Sequence, residues 1–398
     1  MIQQRAISKQ KLSLRVQIVA FPGAEDKLLE KAKVHIISIL KGIELDFVKK
    51  DPLAIYFVTG GSEASAVKAI SDRRHILLLA FSENNAYASA SEVKAWLGSK
   101  GMSSYLCNLS DETSIPQLKE LVGIWSRVRS FTHKRVGIIG NPSEWLIYSR
   151  PKADDLRTRF GIRLISFPWD DLPDPMSVAQ SEDFLEFFNG HGNQNIEDHS
   201  RIHSLLLEII EGNKLDGIAV ECFPMVKEKG ITACLSLARL NDMGVPAACE
   251  GDLVSLAGML LIQHLTGVIP WMANISGVFQ DHAEFSHCTV SPGLTDNYRL
   301  TTHFESGKGL SIAGDLYQKV YTVFRWNQSF DRCFISKGEK ADYLWSSASC
   351  RTQLHLMINS HDLIKLQNLP LGNHHLIIPG DHTSALKTAC EYLNFAII

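Results

Sequence analysis

Short apolar runs alternate with amphipathic stretches through the first two thirds of the chain, and the pattern changes after Gly267. Leu14 to Phe21 reads as a strand and Glu25 to Leu40 as an amphipathic helix. Ala54 to Thr59 is a second strand, closing in Gly60-Gly61-Ser62-Glu63 before a helix from Ala64 to about Ile70. His75 to Phe81 is a third, followed by Ser82-Glu83-Asn84-Asn85 and the helix Ala86 to Leu97. Short apolar strands that pass through polar or glycine turns into helices predict parallel α/β sheets. Such sheets bind ligands beyond the carboxyl ends of their strands.

A helix near Ile115 to Val128 and the basic Thr132-His133-Lys134-Arg135 precede a fresh strand, Val136 to Ile139, and the first domain boundary is placed there. A second α/β unit continues through Ile162 to Ser166 and a long helical stretch from Asp183 to Glu211. It goes on with strands ending at Val220 and Cys249 and closes with the helix Leu253 to Leu265. Beyond Gly267, the segments Phe285 to Val290, Tyr298 to Phe304 and Lys319 to Arg325 alternate and are rich in β-branched and aromatic residues. Helix returns only at His382 to Leu393, so this part reads as mostly β. The expectation is an α/β protein with two doubly wound parallel-sheet domains, 1–132 and 133–268, followed by a β-rich C-terminal domain, 269–398.

Composition narrows the function classes. A net charge of -3 over 398 residues argues against a general nucleic-acid or membrane-surface binder, either of which needs a cationic face. No apolar run reaches the roughly 20 residues that span a bilayer, and Met1-Ile2-Gln3-Gln4-Arg5 begins no apolar leader. The 8 cysteines form no C-x-x-C pair and mostly sit among apolar neighbours. Reduced, buried thiols in a cytoplasmic protein are the expectation.

The chemistry gathers at the exits of apolar runs. Leu215 to Val220 ends in Glu221, and Val245 to Cys249 ends in Glu250-Gly251-Asp252. Gly372-Asn373-His374-His375 leads into Leu376-Ile377-Ile378. Two carboxylates and an imidazole form a ligand set for a divalent metal that keeps positions open for substrate. Each has a plain alternative: Glu221 as a solvated strand end, Asp252 as the N-cap of the helix that follows. His287-Cys288 offers a soft ligand pair or a buried structural thiol, while Asp281-His282 and His191 read as loop residues. Gly60-Gly61-Ser62-Glu63 has neither the lysine nor the spacing of a phosphate loop.

With these residues in view, the chain resembles the L-fucose and L-arabinose isomerase superfamily, in particular its smaller fucose-isomerase-like members. The resemblance rests on Thr59-Gly60-Gly61-Ser62-Glu63, Val220-Glu221-Cys222-Phe223-Pro224, Ala248-Cys249-Glu250-Gly251-Asp252, His287-Cys288-Thr289, Gly372-Asn373-His374-His375 and Pro379-Gly380-Asp381, in that order. It implies a metal-dependent aldose–ketose isomerase acting through an enediol, with Glu221, Asp252 and His374 or His375 on one divalent ion, most often Mn2+. Glu221 and Asp252 would then share the proton transfer between C2 and C1. Glu250 would stand behind the ligands or face the sugar, and His287 would line the cavity. Gly60, Gly61, Glu63, Asn84 and Asn85, with Asn141, Ser143, Glu144 and Trp145, are candidates for the distal hydroxyls. Trp145 would stack on a sugar face or pack between domains. The resemblance also implies a homo-oligomer, a trimer or hexamer, whose cleft a neighbour completes. Two other readings remain: a non-catalytic sugar- or metabolite-binding protein of the same fold, and a metal-dependent epimerase or lyase.

Overall fold

The computed structural model describes residues 12–70, 75–191, 196–342 and 344–398. Met1 to Arg5, read above, lie outside the described residues. The contacts divide the described chain into two compact units, one running to Arg129 together with Tyr392–Asn394, the other Ser130–Glu391 with Phe395–Ile398. Where the sequence draws three domains, the second α/β region and the β-rich region fall within one unit.

The smaller unit is a five-stranded parallel sheet of β1 (Leu12–Val19), β2 (Ile43–Phe47), β3 (Ala54–Phe57), β4 (His75–Ala80) and β5 (Ser103–Asn108), ordered β2-β1-β3-β4-β5. Alternate strand residues feed two cores. Val16, Tyr56, Leu77 and Leu79 pack with Ile36, Leu118 and Val122, whereas Val19, Ile55, Phe57 and Leu78 pack with Ala66, Ala90 and Leu97. The central strands are therefore apolar on both faces, the signature of a buried parallel sheet. Strand β2, Ile-Glu-Leu-Asp-Phe, is an edge strand with exposed acids, and the sequence reading passes over it.

The larger unit opens with a four-stranded parallel sheet of β6 (Arg135–Ile139), β7 (Arg163–Phe167), β8 (Gly217–Val220) and β9 (Ala247–Cys249), ordered β7-β6-β8-β9. The single long helix expected over Asp183 to Glu211 is two, Glu182–Phe187 and Glu197–Asn213. Gly190, at φ +83°, takes a backbone that a continuing helix cannot.

The β-rich region contains a closed barrel. Strands β10 (Trp271–Val278), β11 (His282–His287), β14 (Val320–Trp326), β15 (Arg332–Lys340), β16 (Thr352–Ile358) and β17 (His374–Pro379) run in the order β14-β17-β10-β11-β16-β15, and β15 pairs back to β14. A two-stranded ladder, β12 (Thr295–Thr302) with β13 (Leu310–Leu316), and the short β18 (Ala396–Ile397) complete the strands. One helix, Ser360–Asn368, lies in the region expected to hold little helix.

The helix Leu253–Thr266 joins the two parts of this unit. It is apolar around its whole circumference, with eleven of its residues buried, because it is covered on one side by β8 and β9 and on the other by β14 and β17. Gly258 lies where this helix meets the barrel; a Cβ there would stand 2.6 Å from the Leu376 side chain. Near β14, Trp326 stacks with Phe160 at 5.2 Å and Phe395 at 4.8 Å between centroids. Truncating so large a buried side chain costs about 3–5 kcal/mol. Trp326→Ala should lower the thermal midpoint by several degrees, measured by calorimetry; an unchanged midpoint would show that the cluster carries no stability.

Candidate metal centre

Parallel pairing aligns the two carboxylate exits. Val220 on β8 is the register partner of Cys249 on β9, so Glu221 and Glu250 leave adjacent strands at the same level. Glu250 and Gly251 both have left-handed backbones, φ +59° and +65°. For a glutamate this conformation costs free energy, and such strain persists where surrounding contacts enforce it. Gly251 has no alternative, since a Cβ there would lie 2.5 Å from the Asn141 carbonyl oxygen.

The loop after β6 is fastened between the two glutamates. Glu221 Oε2 accepts from the Asn141 backbone N–H at 2.7 Å, and the Glu250 carbonyl accepts from Ser143 N–H at 2.9 Å. The Trp145 indole N–H donates to Glu250 Oε2 at 2.6 Å, while its half-exposed ring meets Phe223 edge-on at 4.7 Å. Trp169 donates to the Glu221 carbonyl at 3.0 Å.

The pleat of β17 separates the two adjacent histidines. His375 points with Ile377 into the barrel core, ring edge toward Phe285 at 5.8 Å, and its Nδ1 lies 3.0 Å from the Asn373 carbonyl. His374 faces the opposite way and is fully buried. Its Nδ1 lies 2.8 Å from Asp252 Oδ2. Its Nε2 has no hydrogen-bond partner and stands 3.5 Å from Glu250 Oε2. His287 Nε2 is 4.0 Å from Glu250 Oε1, and its Nδ1 is 3.0 Å from the Thr289 hydroxyl.

Glu250, His287 and His374 thus offer three ligand atoms within 4.8 Å of one another, one of two such groups among the described residues. The donor set of one carboxylate and two imidazole nitrogens suits a divalent ion, and one of those nitrogens, His374 Nε2, makes no hydrogen bond. Asp252 behind His374 and Thr289 beside His287 fix the ring orientations, as carboxylates and hydroxyls do behind metal-ligating histidines. Glu221, Asp252 and His375, expected as ligands, are outside this group.

Asp252 is saturated instead. Its Oδ1 caps the helix by accepting Ser255 N–H at 2.8 Å, and its Oδ2 meets the Ser255 hydroxyl, Arg325 Nη1 at 3.1 Å and His374. The N-cap reading of Asp252 holds together with a role in orienting His374. Arg325, Ser255 and Thr289 escape the sequence reading. Arg325 is the detectable one, a lone cation in the otherwise apolar strand Val-Tyr-Thr-Val-Phe-Arg-Trp, and a charge in a buried run is the informative exception.

Electrostatics follow from this packing. Burial opposes ionisation of Glu250, but His374, then His287 and the Trp145 N–H, lower its pKa to about 2. Burial likewise works against Asp252, yet Arg325, His374 and Ser255 hold its carboxyl well below the usual range. His287 falls to about 3 through burial and its neighbour His374. Burial would lower His374 too, but Glu250 and Asp252 outweigh it and raise the pKa to about 9.

The candidates in the smaller unit fall in its strand-to-helix turns, before the helices Glu63–Ala69 and Ala86–Ser99. Gly60 and Asn85 pack tightly, Gly60 N–H donates to the Asn84 carbonyl at 2.7 Å, and Asn84 and Asn85 are both left-handed. Glu63 begins the helix Glu63–Ala69, and Gly61 takes φ +70°. All 8 cysteines are buried and free, Cys222 and Cys249 with their sulfurs 3.7 Å apart. No helix among the described residues is long and apolar enough to cross a membrane.

Two outcomes follow. Arg325→Leu leaves Asp252 buried without its main counter-charge and should destabilise the protein by about 3–5 kcal/mol, read as a fall in urea midpoint. In protein stripped of divalent ions, the folded pKa of His374, about 9, lies above the ordinary value near 6.5. Its contribution to stability is full below pH ~6.5 and is lost as pH rises toward about 9. The melting temperature of chelated protein should fall across that window, and His374→Gln should flatten the fall.

No protein-family model matches the chain. The chain is 21% identical over 325 residues to the sulfoquinovose isomerase of Alkalicoccus urumqiensis, an alignment covering 74% of this chain and 71% of that one. A sugar isomerase is therefore among its distant relatives.

Proposed function

We propose that the protein is a metal-dependent aldose–ketose isomerase of the fucose-isomerase-like kind. The observation that carries this reading is the buried Glu250–His287–His374 group, whose His374 Nε2 makes no hydrogen bond and faces Glu250, beside Glu221 on the adjacent strand exit. The similarity to a sugar isomerase supports it.

Glu250, His287 and His374 would hold the ion, with manganese the metal suggested by the resemblance. When bound, it would supply positive charge beside the sugar oxygens that become electron-rich as the proton moves. The protein's own groups do the rest. Asp252 has no exposure and every direction of its carboxylate is taken, so it fixes His374 rather than moving a proton. Glu221 is partly exposed and needs only one carboxylate oxygen for the Asn141 N–H. It is the base that removes the proton from C2 and delivers it to C1, while a proton passes from O2 to O1; atoms and charge balance with no external oxidant. Phe223 and Trp145 meet edge-on beside the Glu250 carboxylate and supply an apolar surface there.

Sulfoquinovose, the sugar in the relative's name, is the first aldose to assay. Purified protein should carry about one divalent ion per chain at this centre, retained in Glu221→Gln and lost in His374→Ala. Glu221→Gln should lower turnover about 10²–10⁴-fold, as loss of a general base does. Run in deuterated water, the reaction should place deuterium at C1 of the ketose or C2 of the aldose by NMR. A protein that binds sugars but turns over none when loaded with manganese would sink the enzymatic reading.

A further inference from the structure

A second set of ligand-type side chains shares no residue with the first. His282 and Glu284 alternate with the buried Ala283 and Phe285 along β11, so both point to the outside of the barrel. Glu284 is the register partner of His355 on β16, and His282 pairs with Met357, itself exposed. One carboxylate and two imidazoles therefore meet on the outer face. His282 Nε2 lies 3.7 Å from Glu284 Oε1, and His355 Nε2 lies 3.5 Å from the same oxygen. The two imidazoles stack at 5.6 Å between centroids.

These separations fit a metal more closely than they fit hydrogen bonds. In a tetrahedral zinc site with bonds of about 2.0–2.1 Å, adjacent ligand atoms stand roughly 3.3 Å apart. The three ligand atoms here lie within 4.8 Å of one another. A supporting group is also present. Asp281 Oδ1 sits 2.7 Å from His282 Nδ1 and orients the ring so that Nε2 faces Glu284. This is the carboxylate–histidine arrangement that aims imidazoles at metals. Phe279 stacks on His282 at 4.5 Å and holds the ring plane. The side chains of His282, Glu284 and His355 keep 25%, 29% and 19% of their exposure, so an ion can enter from solvent without opening the fold.

We propose that His282, Glu284 and His355 form a second metal site, on the outer wall of the barrel, for a divalent transition ion of the zinc class. Two imidazoles with one carboxylate favour such a borderline ion over magnesium or calcium, which prefer all-oxygen shells. Water takes the remaining position. The site stands independently of the isomerase reading, because it shares no residue with the Glu250–His287–His374 group.

The test is zinc content after equilibration with zinc alone and gel filtration, on the full chain. The wild type, His355→Gln, His282→Gln and His374→Ala are compared. Both outer-wall variants should lose about one zinc per chain relative to the wild type, and His374→Ala should keep the outer ion. Asp281→Asn should weaken zinc binding about 10–100-fold, the usual effect of losing an orienting partner. Cobalt loaded into His374→Ala should give the intense visible absorption of a four-coordinate site, absent from the His355→Gln double variant. His355→Gln should leave any sugar turnover unchanged. Zinc content equal in wild type, His282→Gln and His355→Gln would overturn the proposal. If His374→Ala fails to fold, the difference between wild type and the two exposed variants decides alone.

Discussion

The buried ion pair between Asp252 and Arg325 is the contact on which the central cluster depends. Arg325 reaches from β14 to Asp252 and Ser255 at the start of the helix Leu253–Thr266, to Ser149 in the loop region after β6, and to the Leu371 carbonyl just before β17. Four segments far apart in the chain are thus held by one guanidinium. Taking two charges out of water is costly, and the pair is tolerated because nearly every donor and acceptor on it is matched. Gly372 marks how close this packing is: a Cβ there would stand 2.7 Å from the Arg325 guanidinium. His374 follows two residues later, so its position is inherited from that junction.

Around this junction the charges alternate. Arg325, Asp252, His374 and Glu250 form a line of cation, anion, imidazole and anion in a region with almost no solvent. In a low dielectric such a line is strong when complete and expensive when broken. It explains why His374 is drawn up in pKa while His287 and His375, equally buried but without two carboxylates, are pushed down. The left-handed Glu250 then reads as strain held in place by the Ser143 and Trp145 contacts.

The two histidine–carboxylate groups use one device in two surroundings. In each, a carboxylate bonds Nδ1 of a histidine whose Nε2 faces a glutamate: Asp252 for His374, Asp281 for His282. The inner one is closed in protein and is flanked by another carboxylate at the exit of β8. The outer one lies on an antiparallel ladder, partly open to water. Surroundings rather than ligand type divide their chemistry: a dry site amplifies charge effects on a substrate, and a wet one mainly holds an ion.

Local sequence determined the parallel α/β character and the strand exits, because apolar runs such as Ile55 to Phe57 or Ile218 to Val220 and the turns after them act over a few residues. It also marked Glu221, Glu250, His287 and the His374-His375 step as places where chemistry could collect. It missed edge strands with mixed polarity such as β2 and short helices such as Phe223–Lys229, whose local patterns are weak. Which histidine of the pair turns toward Glu250 is set by the pleat of β17, and a one-residue shift in register would exchange them. Whether Asp252 binds an ion or braces a ligand depends on Arg325, which stands 73 residues away in the chain and 3.1 Å away in space. Such decisions rest on long-range pairing and burial, which no short window of sequence contains. For that reason the elements were legible from the residues alone, and the division of labour among the carboxylates became visible only in the tertiary structure.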